Sequence, residues 1–220
     1  THNLSDGARD TMIQQLIASP SYYKRLFDLT SDDFINGMDS SSIAYEIQLF
    51  HVLEYLDSIN GNIFNLVYYQ NELNRLAALQ HVTDDYMNGS ISVNQFFAAF
   101  LNNYFYDQVN MGSENFVKGA FSDLFLRAPT ESELSSGVSM VDNVPAILFL
   151  MNGSSKGNFI TIVTSCSEFY EGLVLKTYRQ VLLRDPDSEE LNAGTLSIQQ
   201  SGDFPAFEKQ LMKTIEYAGF

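Results

Sequence analysis

The sequence has little of the residue types on which much protein chemistry depends. Its 220 residues include one cysteine, Cys166, three histidines and no tryptophan. A single cysteine cannot form an internal disulfide, so a disulfide-stabilised scaffold is excluded. Basic residues are also scarce: 12 Lys and Arg face 27 Asp and Glu, which gives a formal charge of −15. Such a surface repels nucleic-acid phosphates, so a nucleic-acid partner is not expected.

Long apolar runs are missing as well. The longest candidate is VPAILFLM at 144–151, well short of the roughly 18 to 20 residues that span a bilayer. We therefore expect no transmembrane segment in this chain. A start at Thr1 rather than Met suggests a processed or truncated product and leaves open a signal peptide or lipid anchor before it. Few lysines with abundant Ser, Asn and Tyr favour a bacterial protein exported to the periplasm or cell surface.

Helical periodicity is the dominant pattern that is present. Five apolar residues recur at spacings of three and four, which places them on one face of a helix: Ile43, Ile47, Phe50, Leu53 and Leu56. The segment 62–88 has the same pattern and predicts one long helix. Two or three shorter helices are expected in the first 37 residues. Further helices are predicted at 92–103, 114–127, 131–142, 157–163, 168–184, 188–200 and 204–217.

Signals for helix starts are stronger than signals for strands. Ser92 with Gln95, and Ser165 with Glu168, have the spacing of a capping box, in which two side chains and two backbone amides bond reciprocally. The best strand candidate is the β-branched stretch 158–165, but it has helical neighbours and no evident partner strand. We predict an all-α, multi-helix domain.

A weak boundary near residue 104 divides the predicted helices into two groups. We predict an N-terminal helical half, 1–104, and a repeat-bearing helical half, 105–220, within one continuous globular unit. No low-complexity linker separates them. Loops rich in Gly, Asn and Ser are expected at 58–61, 88–90, 110–113 and 152–157.

A repeat identifies the second half. The stretch FLRAPTESELSSG at 125–137 returns 57 residues later as LLRDPDSEELNAG at 182–194, with six of twelve positions identical from the first shared leucine. This degree of identity predicts a duplicated helix-corner-helix unit.

Each copy of the repeat has the same sequence of structural signals. An arginine is expected in the last turn of the first helix, where the helix dipole favours a cation. A proline two residues later turns the chain, and a glutamate at capping-box spacing starts the next helix. The arginine is also expected to pair with that glutamate, so we interpret these carboxylates as structural. The corner residues are Arg127, Pro129, Glu133, Arg184, Pro186 and Glu190.

The residues that could carry chemistry do not form a recognisable site. His51 and Glu54 lie three apart on a helix, as a metal pair might, but two ligands do not make a site. Cys166 has no cysteine-protease signature around it. The stretch GSSKG at 153–157 does not match a phosphate-binding loop, and DPDSEE at 185–190 lacks the alternating donors and glycine of a calcium loop. We predict no catalytic, cofactor-binding or metal site.

Longer stretches resemble a known family. NGSISVNQFFAAFLNNYFYDQ at 88–108, followed by NFVKGAFSDLFLRAPTESEL at 115–134, is similar to the phycobilisome linker domain. The stretch 168–194, with LMKTIEYAGF at 211–220, resembles a related bacterial domain of unknown function found in exported and surface proteins. The resemblance covers about residues 88–220 and implies a helical adaptor without catalysis. Rod linkers tend to be basic whereas this chain is acidic, so a literal antenna role is not expected.

Two functional hypotheses follow. The first is a non-enzymatic helical adaptor or structural subunit with protein partners, in a larger bacterial assembly of the envelope or the extracellular space. The alternative is a small-ligand-binding protein or enzyme with a site built from dispersed residues around Tyr68, Tyr69, His51 and Glu54. A broad exposed apolar or tyrosine-rich face would favour the first, and a deep apolar pocket with converging polar groups would favour the second.

Overall fold

Helices account for most of residues 6–218, the part of the chain that this computed structural model describes. The prediction of a helical domain is confirmed. The segment 158–165, which could have been a strand, lies largely in a helix as predicted. In chain order the helices are α1 (Asp6–Ile17), α2 (Pro20–Ile35), α3 (Ser40–Ile59), α4 (Leu66–Met87), α5 (Val93–Leu101), α6 (Tyr104–Val109), α7 (Ser113–Phe125), α8 (Glu131–Val141), α9 (Lys156–Val163), α10 (Ser167–Val181), α11 (Ser188–Ser201), α12 (Phe204–Met212) and α13 (Ile215–Ala218).

A small β-hairpin corrects the strictly all-α prediction. Strands β1 (Ala146–Leu148) and β2 (Met151–Gly153) pair antiparallel. The two residues between them, Phe149 and Leu150, have φ of 49° and 64°, the sign that the tightest hairpin turns require at both positions. These turns normally use Asn or Gly, so the sequence carried no turn signal here. The Phe149 ring stacks on Phe121 with 6.0 Å between centroids, which ties the hairpin to α7.

Several helix boundaries differ from the predicted ones: the helix predicted over 62–88 begins at Leu66, after a 3-10 turn, and the one predicted over 168–184 ends at Val181. The helix predicted over 92–103 ends at Leu101, and Asn103 then caps α6 by accepting a hydrogen bond from the Tyr106 amide at 3.0 Å. The helix predicted over 204–217 divides after Met212 into α12 and α13. The Asn103 cap therefore makes α5 shorter than periodicity alone suggests.

The two predicted capping boxes have different outcomes. The box at Ser92 and Gln95 is confirmed, with both reciprocal bonds formed. The box at Ser165 is wrong, since Cys166 is the residue before α10 and makes no side-chain cap. Ser165 instead donates its hydroxyl to the Thr161 carbonyl at 2.6 Å. Glu168, the expected capping partner, instead accepts a hydrogen bond from Arg127.

One connected apolar core crosses the predicted boundary near residue 104. It contains buried side chains from both halves, including Phe34 and Phe96 before the boundary and Phe121 and Phe169 after it. Aromatic rings link the halves directly, as in the edge contact of Phe97 with Phe169 at 5.5 Å. Among residues 6–218, no helix is both long enough and apolar enough to cross a membrane.

Candidate functional sites

The first helix corner is held together by Arg127. Its Nη1 and Nη2 atoms donate to the two carboxylate oxygens of Glu133 at 2.9 and 2.8 Å, and Nη2 also donates to Glu168 at 2.7 Å. Glu133 completes a capping box with Thr130. The Arg127 guanidinium holds the pKa of Glu133 down to about 2. The guanidinium also lies 5.1 Å from the centre of the Phe121 ring, so the corner is packed as well as charged.

The second corner has the same set of contacts around Arg184. Nη1 and Nη2 donate to Glu190 at 2.6 and 2.7 Å, and Nη2 also donates to Glu216 at 2.8 Å. Glu190 forms a capping box with Asp187, and Arg184 holds its pKa down to about 2. The guanidinium lies 5.2 Å from the Tyr178 ring. Neither corner leaves a free carboxylate pair for catalysis.

The expected place of the two arginines in a last helical turn is wrong. Helix α7 ends at Phe125 and α10 at Val181, before either arginine. The residues immediately preceding the arginines, Leu126 and Leu183, have φ of 59° and 55°, so the chain has already left the helix. Each arginine consequently points to carboxylates across the corner rather than to carbonyls at the end of its own helix. Pro129 and Pro186 lie outside the helices that flank them.

Matched glycines extend the similarity of the two corners. A β-carbon added to Gly137 would lie 2.8 Å from Val117, and one added to Gly194 would lie 2.9 Å from Val174. Both pairs have the 57-residue offset of the repeat. Helix α11 therefore approaches α10 as closely as α8 approaches α7.

Two of the dispersed residues of the alternative hypothesis, Glu54 and Tyr69, make contacts between α3 and α4. Glu54 accepts from the Gln70 side chain at 3.1 Å, and Tyr69 donates its hydroxyl to Asp57 at 3.0 Å. His51 lies on the exposed surface 3.7 Å from Glu54. Over the part of the chain that the structure describes, no group of three His, Cys, Asp or Glu side chains is placed to hold a metal ion.

Cys166 and the loops offer little chemistry either. Burial raises the pKa of the Cys166 thiol to about 11, whereas a nucleophilic cysteine needs a lowered pKa. In the GSSKG stretch, Lys156 forms an ion pair with Asp107. In the DPDSEE stretch, Asp185 pairs with Arg179 at 2.6 Å. These side chains are already occupied by internal contacts.

A half-buried charge cluster was not foreseen. Arg75 pairs with Glu72 and with Asp107, each at 2.6 Å, and Lys156 also pairs with Asp107. Two acids and two bases thus meet where α4, α6 and α9 pack together. The Lys156 ammonium lies 4.2 Å from the Phe116 ring. No pattern in the sequence indicates the cluster, because its members are as far as 84 residues apart.

The outer side of the α3–α4 helical hairpin is apolar and exposed. Only Ile43 and Phe50 are buried along the whole of α3. At the tip, Phe64 is 89% exposed. We define the hairpin face by its exposed apolar residues, Tyr45, Leu49, Val52, Tyr55, Leu56, Ile59, Ile63, Phe64, Val67 and Tyr68.

An apolar cavity of about 410 Å³ lies between α2, α10 and α12. Seven leucine, phenylalanine and valine side chains contribute to its wall. Polar and charged groups also reach it, notably Arg25, Lys176, Asp33, Glu208 and Tyr22. None of the four dispersed residues of the alternative hypothesis lines this cavity.

Comparison of the chain with models of protein families, with curated proteins and with solved structures finds no match. What the fold itself defines is a mostly helical domain that carries a small two-strand hairpin. The resemblance to the phycobilisome linker domain stays a prediction.

Proposed function

We propose that the protein is a non-enzymatic helical adaptor, a structural subunit of a larger bacterial assembly in the envelope or outside the cell. The observation that carries the proposal is the hairpin face. The face presents ten exposed apolar side chains, and large exposed apolar patches on soluble proteins typically serve interactions. Burying a large apolar side chain contributes roughly 1.5 to 3 kcal/mol, so a few of these residues would suffice for a stable contact.

The pattern of the hairpin face specifies the kind of partner. Tyr45, Leu49, Val52, Leu56 and Ile59 follow one another at spacings of four and three, which is the seam of a coiled coil. All five are exposed. We infer that the partner contributes an amphipathic helix whose own apolar seam packs along α3.

The scarcity of exposed charge around the seam supports an apolar contact. Between Arg25 and Arg75 the sequence contains no Lys or Arg. The three acids between residues 40 and 71, Glu46, Glu54 and Asp57, are half-buried rather than exposed. The face therefore lacks the charge that keeps the rest of this acidic surface in water, and it suits a partner seam without strong charge of either sign.

The repeat and the family resemblance are consistent with a scaffold. In this proposal the two helix corners are copies of one duplicated helix-corner-helix unit. Their arginines, capping glutamates and tight glycine contacts stiffen the unit without forming a reactive group. The resemblance to linker domains and to exported bacterial proteins supports an adaptor role outside the cytoplasm.

The test compares two double variants with equal added charge. Val52→Glu with Ile59→Glu places acids at two seam positions that are 53% and 61% exposed. Met12→Glu with Leu196→Glu places them at positions on α1 and α11 that are 55% and 53% exposed. Because all four sites are exposed, both variants should fold normally. Each is expressed in the native source, purified gently and analysed by mass for stoichiometric protein partners.

We expect wild type and the α1–α11 control to retain a protein partner that the seam variant loses. A partner retained equally by both variants would contradict the seam assignment. Sedimentation of the purified chain identifies a second copy as the occupant if a dimer forms and only the seam variant disrupts it. Recovery of a free monomer without a stoichiometric protein partner would contradict the adaptor function, and a metabolite bound around Tyr68, Tyr69, His51 and Glu54 would favour the ligand-binding alternative.

A further inference from the structure

The cavity between α2, α10 and α12 has the size and wall of a small-molecule site. Its volume of about 410 Å³ falls within the range of known ligand pockets. Leu29 on α2, Leu173 on α10 and Phe204 on α12 contribute apolar wall from three separate helices. The site is separate from the hairpin face, so an inference about it stands independently of the adaptor proposal.

Arg25 lines the cavity, and its contacts differ from those of the other five arginines. Arg75, Arg127, Arg179 and Arg184 all form ion pairs, and Arg9 donates to backbone carbonyls. Within residues 6–218, Arg25 has no hydrogen-bond or ion-pair acceptor. Its guanidinium is exposed and available to a ligand.

The other charged groups of the cavity set its polarity. Lys176 is neutralised by Asp33, with 2.7 Å between Nζ and Oδ2. Glu208 is buried and accepts a hydrogen bond from the Tyr22 hydroxyl. An anionic group would be attracted to the exposed Arg25, whose charge also reaches Glu208 and partly offsets the burial that raises the pKa of that carboxyl.

We propose that this cavity binds a small amphipathic carboxylate, with the carboxylate on Arg25 and the apolar body between α2, α10 and α12. A guanidinium offers paired donors in the geometry that a carboxylate accepts. The apolar walls would bury the remainder of the ligand. The pairing is non-covalent, and no group of the cavity is required to react.

Three probes of equal chain length separate the charge from the apolar body: decanoate, decanol and decylamine. Each is titrated into the purified full chain below its micelle concentration, and heat or intrinsic tyrosine fluorescence is recorded. Two variants accompany wild type. Arg25→Gln removes the guanidinium, while Leu29→Phe narrows the cavity. Arg179→Gln, an exposed arginine outside the cavity, is the matched control.

We expect saturable one-to-one binding of decanoate, with decanol weaker and decylamine weakest. Arg25→Gln should weaken decanoate about tenfold and leave decanol unchanged, because a charged hydrogen bond is lost. Leu29→Phe should weaken both, and Arg179→Gln neither. The proposal is overturned if no probe saturates, if decylamine binds more tightly than decanoate, or if Arg25→Gln and Arg179→Gln behave alike.

Discussion

Glu168 and Glu216 hold the two corner arginines in the same way, although the glutamates are 48 residues apart and the arginines 57. Glu168 accepts from Arg127 at 2.7 Å, and Glu216 accepts from Arg184 at 2.8 Å. The first copy contains the β-hairpin between α8 and α9, whereas α11 reaches α12 through a two-residue loop, 202–203. The extra length lies in a loop, where an insertion is tolerated without disturbing the packed contacts.

The capping glutamates should stabilise the fold measurably. Glu133→Ala removes the capping-box bond from the Thr130 amide and both bonds to Arg127, so we expect a loss of about 1 to 3 kcal/mol in the free energy of unfolding. Glu131→Ala, in the same helical turn but exposed, should change stability by less than about 0.5 kcal/mol. Urea unfolding followed by circular dichroism measures both. Equal effects in the two variants would refute the capping role.

Gly172 should be intolerant of any side chain. A β-carbon there would lie 1.9 Å from the Leu124 carbonyl oxygen, where α10 crosses α7. Gly172→Ala therefore forces the helices apart, at a cost of at least about 2 kcal/mol. Gly157→Ala is the control, because it would meet only a Ser155 hydroxyl at 3.9 Å. The control should be neutral or stabilise by up to about 1 kcal/mol. Thermal unfolding of both variants decides the matter, and similar melting temperatures would contradict the close crossing.

Glu208 should make stability fall as pH rises. Burial raises its pKa from 4.5 to about 7, so the folded state holds this proton more tightly than the unfolded state does. Its contribution is fully present below pH 4.5 and is lost as pH rises to about 7, on the order of 3 kcal/mol.

Glu208→Gln tests this linkage, since glutamine stays neutral and keeps an acceptor for the Tyr22 hydroxyl. Urea unfolding at pH 5 and pH 8 should show a smaller loss in the variant than in wild type, and greater stability than wild type at pH 8. Asp123 has its pKa raised to about 6 by burial and adds to the same trend in both proteins. The difference between them therefore isolates Glu208. Parallel pH profiles would show that Glu208 does not carry the raised pKa.

The half-buried charge cluster should depend on Asp107. Asp107→Asn leaves the half-buried Arg75 and Lys156 with one carboxylate fewer, and we expect a loss of about 1 to 3 kcal/mol. Asp185→Asn breaks the exposed pair with Arg179 and should cost less than about 1 kcal/mol. Chemical unfolding of the two variants compares a half-buried pair with a surface pair directly. A loss as small as that of the surface variant would mean that water screens the cluster.

Apolar periodicity and capping spacing were sufficient to predict most of the helices. Periodicity placed Ile43 and Phe50 on the buried side of α3, although Leu56, predicted for the same face, is exposed. Capping spacing located the starts of α5, α8 and α11, because it acts within about four residues along the chain. The repeat likewise indicated that Arg127 and Glu133 would meet across a corner, since only six positions separate them.

Contacts between distant segments were decided by tertiary structure alone. Arg75 meets Asp107 across 32 residues and Arg127 meets Glu168 across 41, distances over which sequence spacing carries no geometric information. The same holds for the cavity, which forms only where α2, α10 and α12 converge. The sequence by itself determined the helices and their caps, through short-range hydrogen bonding and apolar periodicity. Which carboxylates each arginine reaches, and which apolar side chains stay exposed, followed from how those helices pack.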